Sequence, residues 1–147
     1  MSLDRIWNGW RAHYVNESGA RQPVAEGSLF TQILASGLPD EETHIVFRGR
    51  QVFALLNAFP YTSGHLMVLP YRVVASLEDL TPDETSELWA TVTEAVATVK
   101  RAYSPGGVNV GINLGRAAGG SISEHLHVHV VPRWTGDGNF MTSVAEA

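Results

Sequence analysis

Apolar runs broken by glycine and proline lay out an order of elements along the chain. Residues 1 to 27, with breakers at Gly9, Gly19, Pro23 and Gly27, read as an irregular arm. Ser28 followed by Leu29-Phe30-Thr31-Gln32-Ile33-Leu34-Ala35 predicts a short helix, capped by Ser28 and ended by Gly37. His44-Ile45-Val46-Phe47 and Gln51-Val52-Phe53-Ala54-Leu55-Leu56-Asn57, joined through Arg48-Gly49-Arg50, predict a hairpin. Phe59 to Gly64 reads as a loop, and His65 to Leu69 as a third strand stopped by Pro70.

Thr81-Pro82-Asp83-Glu84 marks a long helix: threonine caps, proline takes the first helical position, and glutamate falls three residues after the cap. Leu88, Val92, Val96, Val99 and Tyr103 recur at helical spacing, so one face is buried. Ser104-Pro105-Gly106-Gly107 ends it, and Val108 to Leu114 and Leu126 to Val131 supply two strands around a glycine-rich loop. Short connections make most of the sheet antiparallel. The expected class is α+β, a mostly antiparallel five-stranded sheet with one long and one short helix. No linker divides the chain, so a single domain over 1–147 is expected, with a motif-bearing core over about 28–141.

Composition narrows the function classes. The 147 residues hold 10 Lys plus Arg against 15 Asp plus Glu, a net charge of −5, six histidines and no cysteine. Without cysteine there is no disulfide, thiolate zinc site or thiol nucleophile. No apolar run approaches the roughly 18 residues of a membrane helix. Met1-Ser2-Leu3-Asp4-Arg5-Ile6-Trp7 lacks the pattern of a signal peptide. The acidic balance argues against a bulk nucleic-acid binder. A cytoplasmic protein acting on a small molecule, with neither membrane nor nucleic acid as partner, is the expectation.

The chemistry concentrates in His125-Leu126-His127-Val128-His129-Val130-Val131. Alternation along a strand sets the three imidazoles on one face and Leu126, Val128 and Val130 on the other. The outer two histidines sit roughly 13 Å apart along such a strand, so two of the three could share a metal, but all three would struggle to converge on one ion. An extended anion such as a polyphosphate suits the row better: one neutral imidazole attacks phosphorus while its neighbours supply hydrogen bonds and protons. The preceding loop, Asn113-Leu114-Gly115-Arg116-Ala117-Ala118-Gly119-Gly120-Ser121, offers backbone N–H groups, an amide, a hydroxyl and a cation to phosphate oxygens.

This row resembles the signature of the histidine triad (HIT) nucleotide-binding proteins. A second block, Phe53-Ala54-Leu55-Leu56-Asn57 with Ser63-Gly64-His65-Leu66-Met67-Val68-Leu69-Pro70, is similar to the strand–loop–strand that encloses the nucleoside in HIT hydrolases. The resemblance implies that His127 attacks the α-phosphorus and is transiently nucleotidylated, with no metal in the chemical step. It implies that His129 contacts the α-phosphate and the leaving oxygen, and that His125 supports the row. Asn113, Gly120 and Ser121 match phosphate-binding positions, and Asn57 the ribose-binding one, with His65, Met67 and Leu55 near the nucleoside. Asn57 as a strand-end cap, and Leu55 and Met67 as plain packing, remain alternative readings. A homodimer with the sheet continued across a two-fold axis is also implied.

The chain departs from the family pattern twice. Many bacterial members carry a zinc-binding Cys-x-x-Cys where this chain has Ser28-Leu29-Phe30-Thr31, so structural zinc is not expected, although His44 stands near a position the family uses. Hydrolase branches have Gly-Gln-Ser or Gly-Gln-Thr before the triad, whereas this chain has Gly119-Gly120-Ser121. Pro132-Arg133-Trp134 with Gly136-Asp137-Gly138-Asn139-Phe140-Met141 resembles the branch that includes diadenosine tetraphosphate phosphorylases. There inorganic phosphate, not water, accepts the nucleotide, and Trp134 would lie near the phosphate site. Hydrolysis of nucleoside polyphosphates or phosphoramidates, and a nucleotide-binding regulatory module with little turnover, are the competing readings. His13 has no assigned role.

Overall fold

The computed structural model describes residues 27–57 and 63–137. The arm up to residue 26, with His13, the loop residues 58–62 and everything from Gly138 onward lie outside the described residues. Helix α1 (Leu29–Ala35) starts as the capping signal predicts, the Ser28 side chain accepting the Thr31 backbone N–H. A four-residue turn of helix, α2 (Asp40–Thr43), follows and ends at His44 in the left-handed region, φ 63°. It is absent from the sequence reading, because four residues carry no periodicity. Arg48 ties it to the next strand through a 2.8 Å bond to Asp40.

Strands β1 (Ile45–Arg48), β2 (Val52–Leu56), β3 (Leu66–Pro70), β4 (Gly107–Ile112) and β5 (Val128–Arg133) form one sheet in the order β1-β2-β3-β5-β4, every pairing antiparallel. The long helix α3 (Pro82–Tyr103) carries the chain from β3 to the far edge, and β5 returns between β3 and β4. Alternation sorts the side chains by face. Val52, Ala54, Leu66, Val68, Leu126, Val128 and Val130 pack beneath Leu88, Val92, Ala95 and Val99 of α3. Phe53, Leu55, Met67 and Leu69 face the other way, onto Phe30 and Ile33 of α1. The two faces share no residue, as the two-residue period of a strand requires.

Strand β5 begins at Val128, two residues later than the Leu126 expected from the apolar run. Pro70 is the reason. The bonds Asn57 N–H to the His65 carbonyl and Tyr71 N–H to the Gln51 carbonyl turn the odd-numbered peptides of β3 toward β2. Even-numbered ones therefore face β5, pairing Leu66 with Val130 and Val68 with Val128. The next partner in that series is residue 70, a proline, which has no N–H to give. The ladder stops, and the Leu126 N–H goes instead to the Val74 carbonyl at 2.7 Å.

α3 is anchored at its first turn. Thr81 and Glu84 exchange capping-box bonds, Glu84 N–H to Thr81 Oγ at 3.1 Å and Thr81 N–H to Glu84 Oε1 at 2.9 Å. The buried Glu84 carboxylate also accepts from Arg72 at 2.7 Å. One turn on, Glu87 accepts the backbone N–H groups of Arg50 and Gln51, gripping the β1–β2 turn. Arg72 beside Glu84, with the Thr81 donors, holds that carboxyl down at about 2. A carboxyl lowered on folding contributes stability that is complete above its unfolded range and lost as pH falls toward its folded value. The difference in thermal midpoint between pH 7 and pH 3 should therefore be smaller in Glu84→Gln than in the wild type, as read by circular dichroism; equal differences would contradict this role.

Candidate active site

One level of the sheet builds the floor of the site. Ile45 pairs with Leu55, Leu55 with Met67, Met67 with His129, and His129 with Gly111, so these five stand abreast on β1, β2, β3, β5 and β4. Gly111 leaves the sheet bare beside the His129 imidazole, so space over that ring is not filled by a β4 side chain. Met67 and Leu55 are both buried in the apolar cluster under α1, which puts them beside the His129 ring as packing.

His125, His127 and His129 are all buried on this face. Only His129 lies in the regular strand; His125 and His127 occupy the stretch released from the ladder at Pro70, yet the alternation with Leu126 and Val128 persists. Phe30 supports the row from α1, its ring centroid 5.4 Å from His125, edge-on, and 5.2 Å from His127. The His127 and His129 rings meet edge-on at 4.9 Å, and His65 and His129 lie 5.1 Å apart. Among the described residues, every buried side-chain nitrogen and oxygen has a hydrogen-bond partner.

Those bonds give the imidazoles definite tautomers. His127 Nδ1 sits 2.8 Å from the His125 carbonyl, which can only accept, so Nδ1 carries a proton and the neutral ring keeps its lone pair on Nε2. His125 Nε2 donates to the Pro70 carbonyl at 2.7 Å, and its Nδ1 lies 2.5 Å from Ser28 Oγ. On the other side, the Asn57 amide Nδ2 donates to His65 Nδ1 at 3.4 Å, and His65 Nε2 donates to His129 Nδ1 at 2.9 Å. That chain leaves the His129 proton on Nε2.

Burial and mutual proximity oppose protonation of the three rings around His127. Desolvation, then the neighbouring His127, push His65 down to about 4. Desolvation, His127 and His65 push His129 down to about 3. His125 is also lowered, chiefly by desolvation, with His127 again opposing its charge.

The loop from β4 to the triad folds back on itself. A Cβ placed on Gly120 would meet the Gly115 carbonyl at 3.3 Å and Asn113 at 3.5 Å, so a bare backbone at residue 120 lets the loop close against Asn113. A single 3-10 turn, Arg116–Ala118, fills it, between Gly115 and Gly119 at φ 81° and 97°. Ser121 follows, exposed, four residues before His125. Trp134 lies past the other end of β5, five residues and roughly 16 Å of strand from His129. Its N–H donates to Asp137, which also takes Arg133. His44 is exposed behind α2. The sequence reading left out Ser28, Phe30, Pro70 and Gly111 as site residues. Ser28 is legible only as a cap, Pro70 only as a strand end, and Phe30 and Gly111 only as ordinary helix and strand positions, because their contacts with the row span 18 to 97 residues of chain.

An antiparallel sheet that seats three histidines at alternate positions on one buried face defines the class of fold. The family model for the HIT domain matches residues 39–136, and the chain belongs to this family. It is 50% identical over 146 residues to the AP-4-A phosphorylase of Mycobacterium tuberculosis, covering 97% of this chain and 74% of that protein. It is 34% identical over 92 residues to the bis(5'-adenosyl)-triphosphatase of Dictyostelium discoideum, covering 63% and 61% of the two chains. Among solved structures, a HIT family protein from Bacillus anthracis superposes with TM-score 0.69 at 26% identity, over 79% of this chain and 82% of that one.

The lowered rings have a direct signature. In a ring-proton NMR titration, His65 and His129 should show no charge transition between about pH 5 and 8. Because the unfolded chain binds those protons near pH 6.5, their contribution to stability is complete above that value and declines as pH falls toward 4 and then 3. A transition for either ring near pH 6.5 would contradict the assignment.

Proposed function

We propose that the protein cleaves a dinucleoside polyphosphate of the diadenosine tetraphosphate kind through a nucleotidyl-His127 intermediate, with inorganic phosphate as acceptor. The observation that carries the reading is the 2.8 Å bond from His127 Nδ1–H to the His125 carbonyl, which makes Nε2 the nitrogen that holds the lone pair whenever the ring is neutral. The relative named AP-4-A phosphorylase, similar along nearly the whole chain, supports the substrate class and the acceptor.

In the proposed first step the His127 Nε2 lone pair forms a bond to the α-phosphorus. The bond to the oxygen bridging the α- and β-phosphates breaks, and the electron pair leaves with ATP. His129, with its proton on Nε2, is placed to donate a hydrogen bond to that departing oxygen. A phosphate oxygen then attacks the α-phosphorus, the P–N bond breaks, and ADP forms while His127 regains its lone pair. Asn113, the Gly120 backbone and Ser121 hold phosphate oxygens in this reading, whereas Trp134, past the far end of β5, lies too far along the strand to touch the acceptor phosphate. Asn57 and His65 border the ribose, over Leu55 and Met67. His125 positions rather than reacts. No metal or other cofactor takes part in the chemical step.

The same reading makes the protein a cytoplasmic homodimer, with β4 at the sheet edge as the strand across which a two-fold axis continues the sheet. No described helix is long and apolar enough to cross a membrane. The triphosphatase relative supports a second outcome, hydrolysis, in which water replaces phosphate in the second step.

Two measurements test this. His127→Asn should lose about a thousandfold or more of turnover while remaining folded, and turnover should survive chelator; an active variant would rule out the covalent step. Incubation with diadenosine tetraphosphate should yield ADP plus ATP, and only when phosphate is present. AMP plus ATP, formed without phosphate, would assign water as acceptor instead.

A further inference from the structure

Ser28 joins the start of α1 to the first histidine of the row, 97 residues away in the chain. Both residues are fully buried. The Pro70 carbonyl accepts from His125 Nε2 at 2.7 Å, so that nitrogen holds the proton and Nδ1 is an acceptor. Facing it at 2.5 Å, the Ser28 hydroxyl donates. The same oxygen accepts the Thr31 N–H at 3.3 Å, and Thr31 Oγ1 donates to the Ser28 carbonyl at 2.8 Å. The family resemblance implies zinc-binding thiolates at these two positions in many bacterial members. Here both hold neutral hydroxyls already committed to hydrogen bonds, and His125 Nδ1 is taken as well. The donor set does not fit zinc.

We propose that Ser28 is a positioning residue for nucleotidyl transfer: its hydroxyl, in place of a metal, pins the His125 ring to the start of α1, and the His125 carbonyl thereby holds the His127 ring in its attacking tautomer. The proposal rests on the reading of His127 as nucleophile. Its physical content is that His125 is held at both ring nitrogens, by Ser28 on one side and Pro70 on the other. The backbone between those anchors has little freedom, and it carries the carbonyl that His127 needs. Loss of the Ser28 proton releases one anchor and frees the ring to turn, which misplaces His127 without touching the nucleotide pocket.

Three variants separate this role from simple helix capping. Ser28→Ala removes cap and donor together. Ser28→Gly keeps most of the capping preference but has no hydroxyl proton for His125. Ser28→Thr keeps both. With diadenosine tetraphosphate and phosphate, Ser28→Ala and Ser28→Gly should each lose about tenfold or more in kcat with KM changed by less than about twofold. Ser28→Thr should stay within about threefold of the wild type. In nitrogen-15 NMR of the free protein, the ring signals of His125 and His127 should move in the Ala and Gly variants and hold in the Thr variant.

Wild-type kcat in a folded Ser28→Gly would overturn the proposal, because capping alone would then suffice. If Ser28→Ala fails to fold, Ser28→Gly and Ser28→Thr carry the comparison. If the wild type itself turns over no dinucleotide, the nucleophile reading falls, and the ring signals still decide this proposal: unchanged in Ser28→Gly, they overturn it; shifted, they uphold it.

Discussion

The burial of Leu126, Val128 and Val130 beneath α3 is the constraint on which the rest of the molecule depends. Each is almost wholly removed from water, and together they fix which face of the final strand looks at the long helix. The histidines have no choice of side after that. A slip of one residue would drive three imidazoles into the apolar layer and leave the polar groups that now hold them facing aliphatic side chains, a change far costlier than any single contact in the site. The register that makes the core is thus also the register that aligns the chemistry.

What the buried face then does to the histidines is electrostatic. Four rings crowd into a space from which water is largely excluded, and a charge on His65, His125 or His129 is opposed both by burial and by the neighbouring His127. With charge suppressed, the remaining freedom is which nitrogen carries each proton, and that is settled by groups that can act in one direction only. Carbonyls at Pro70 and His125 accept; the Asn57 amide nitrogen donates. Two short relays converge on His127 and His129 from opposite ends of the pocket. Such an arrangement needs little reorganisation when a charged substrate arrives.

Much of this was legible along the chain. The cap at Ser28, the capping box at Thr81, the hairpin around Gly49 and the alternation from His125 to Val131 are local patterns, each enforced by neighbours within a turn or a strand. The position of β4 at the sheet edge, with β5 inserted between it and β3, was not, because it follows from how α3 packs across the sheet. Nor was the pairing of Ser28 with His125. A serine before a helix reads as a cap whatever else its hydroxyl does, and nothing in the intervening residues signals its second partner. Asn57 and His65 were found through resemblance, while the hydrogen bonds that join them to His129 needed coordinates.

The absent proton on the Pro70 nitrogen has a consequence beyond ending a strand pair. In an unbroken sheet its carbonyl would be consumed by a peptide on the adjacent strand, and the two chains would remain zipped past the triad. Here the two strands part at that point, and the released carbonyl becomes the seat for the His125 imidazole. An opening in the sheet and an acceptor within it thus arise from one imino acid. The pocket is a place where secondary structure has been deliberately left unfinished, so that backbone groups normally spent on holding strands together are available to hold a side chain.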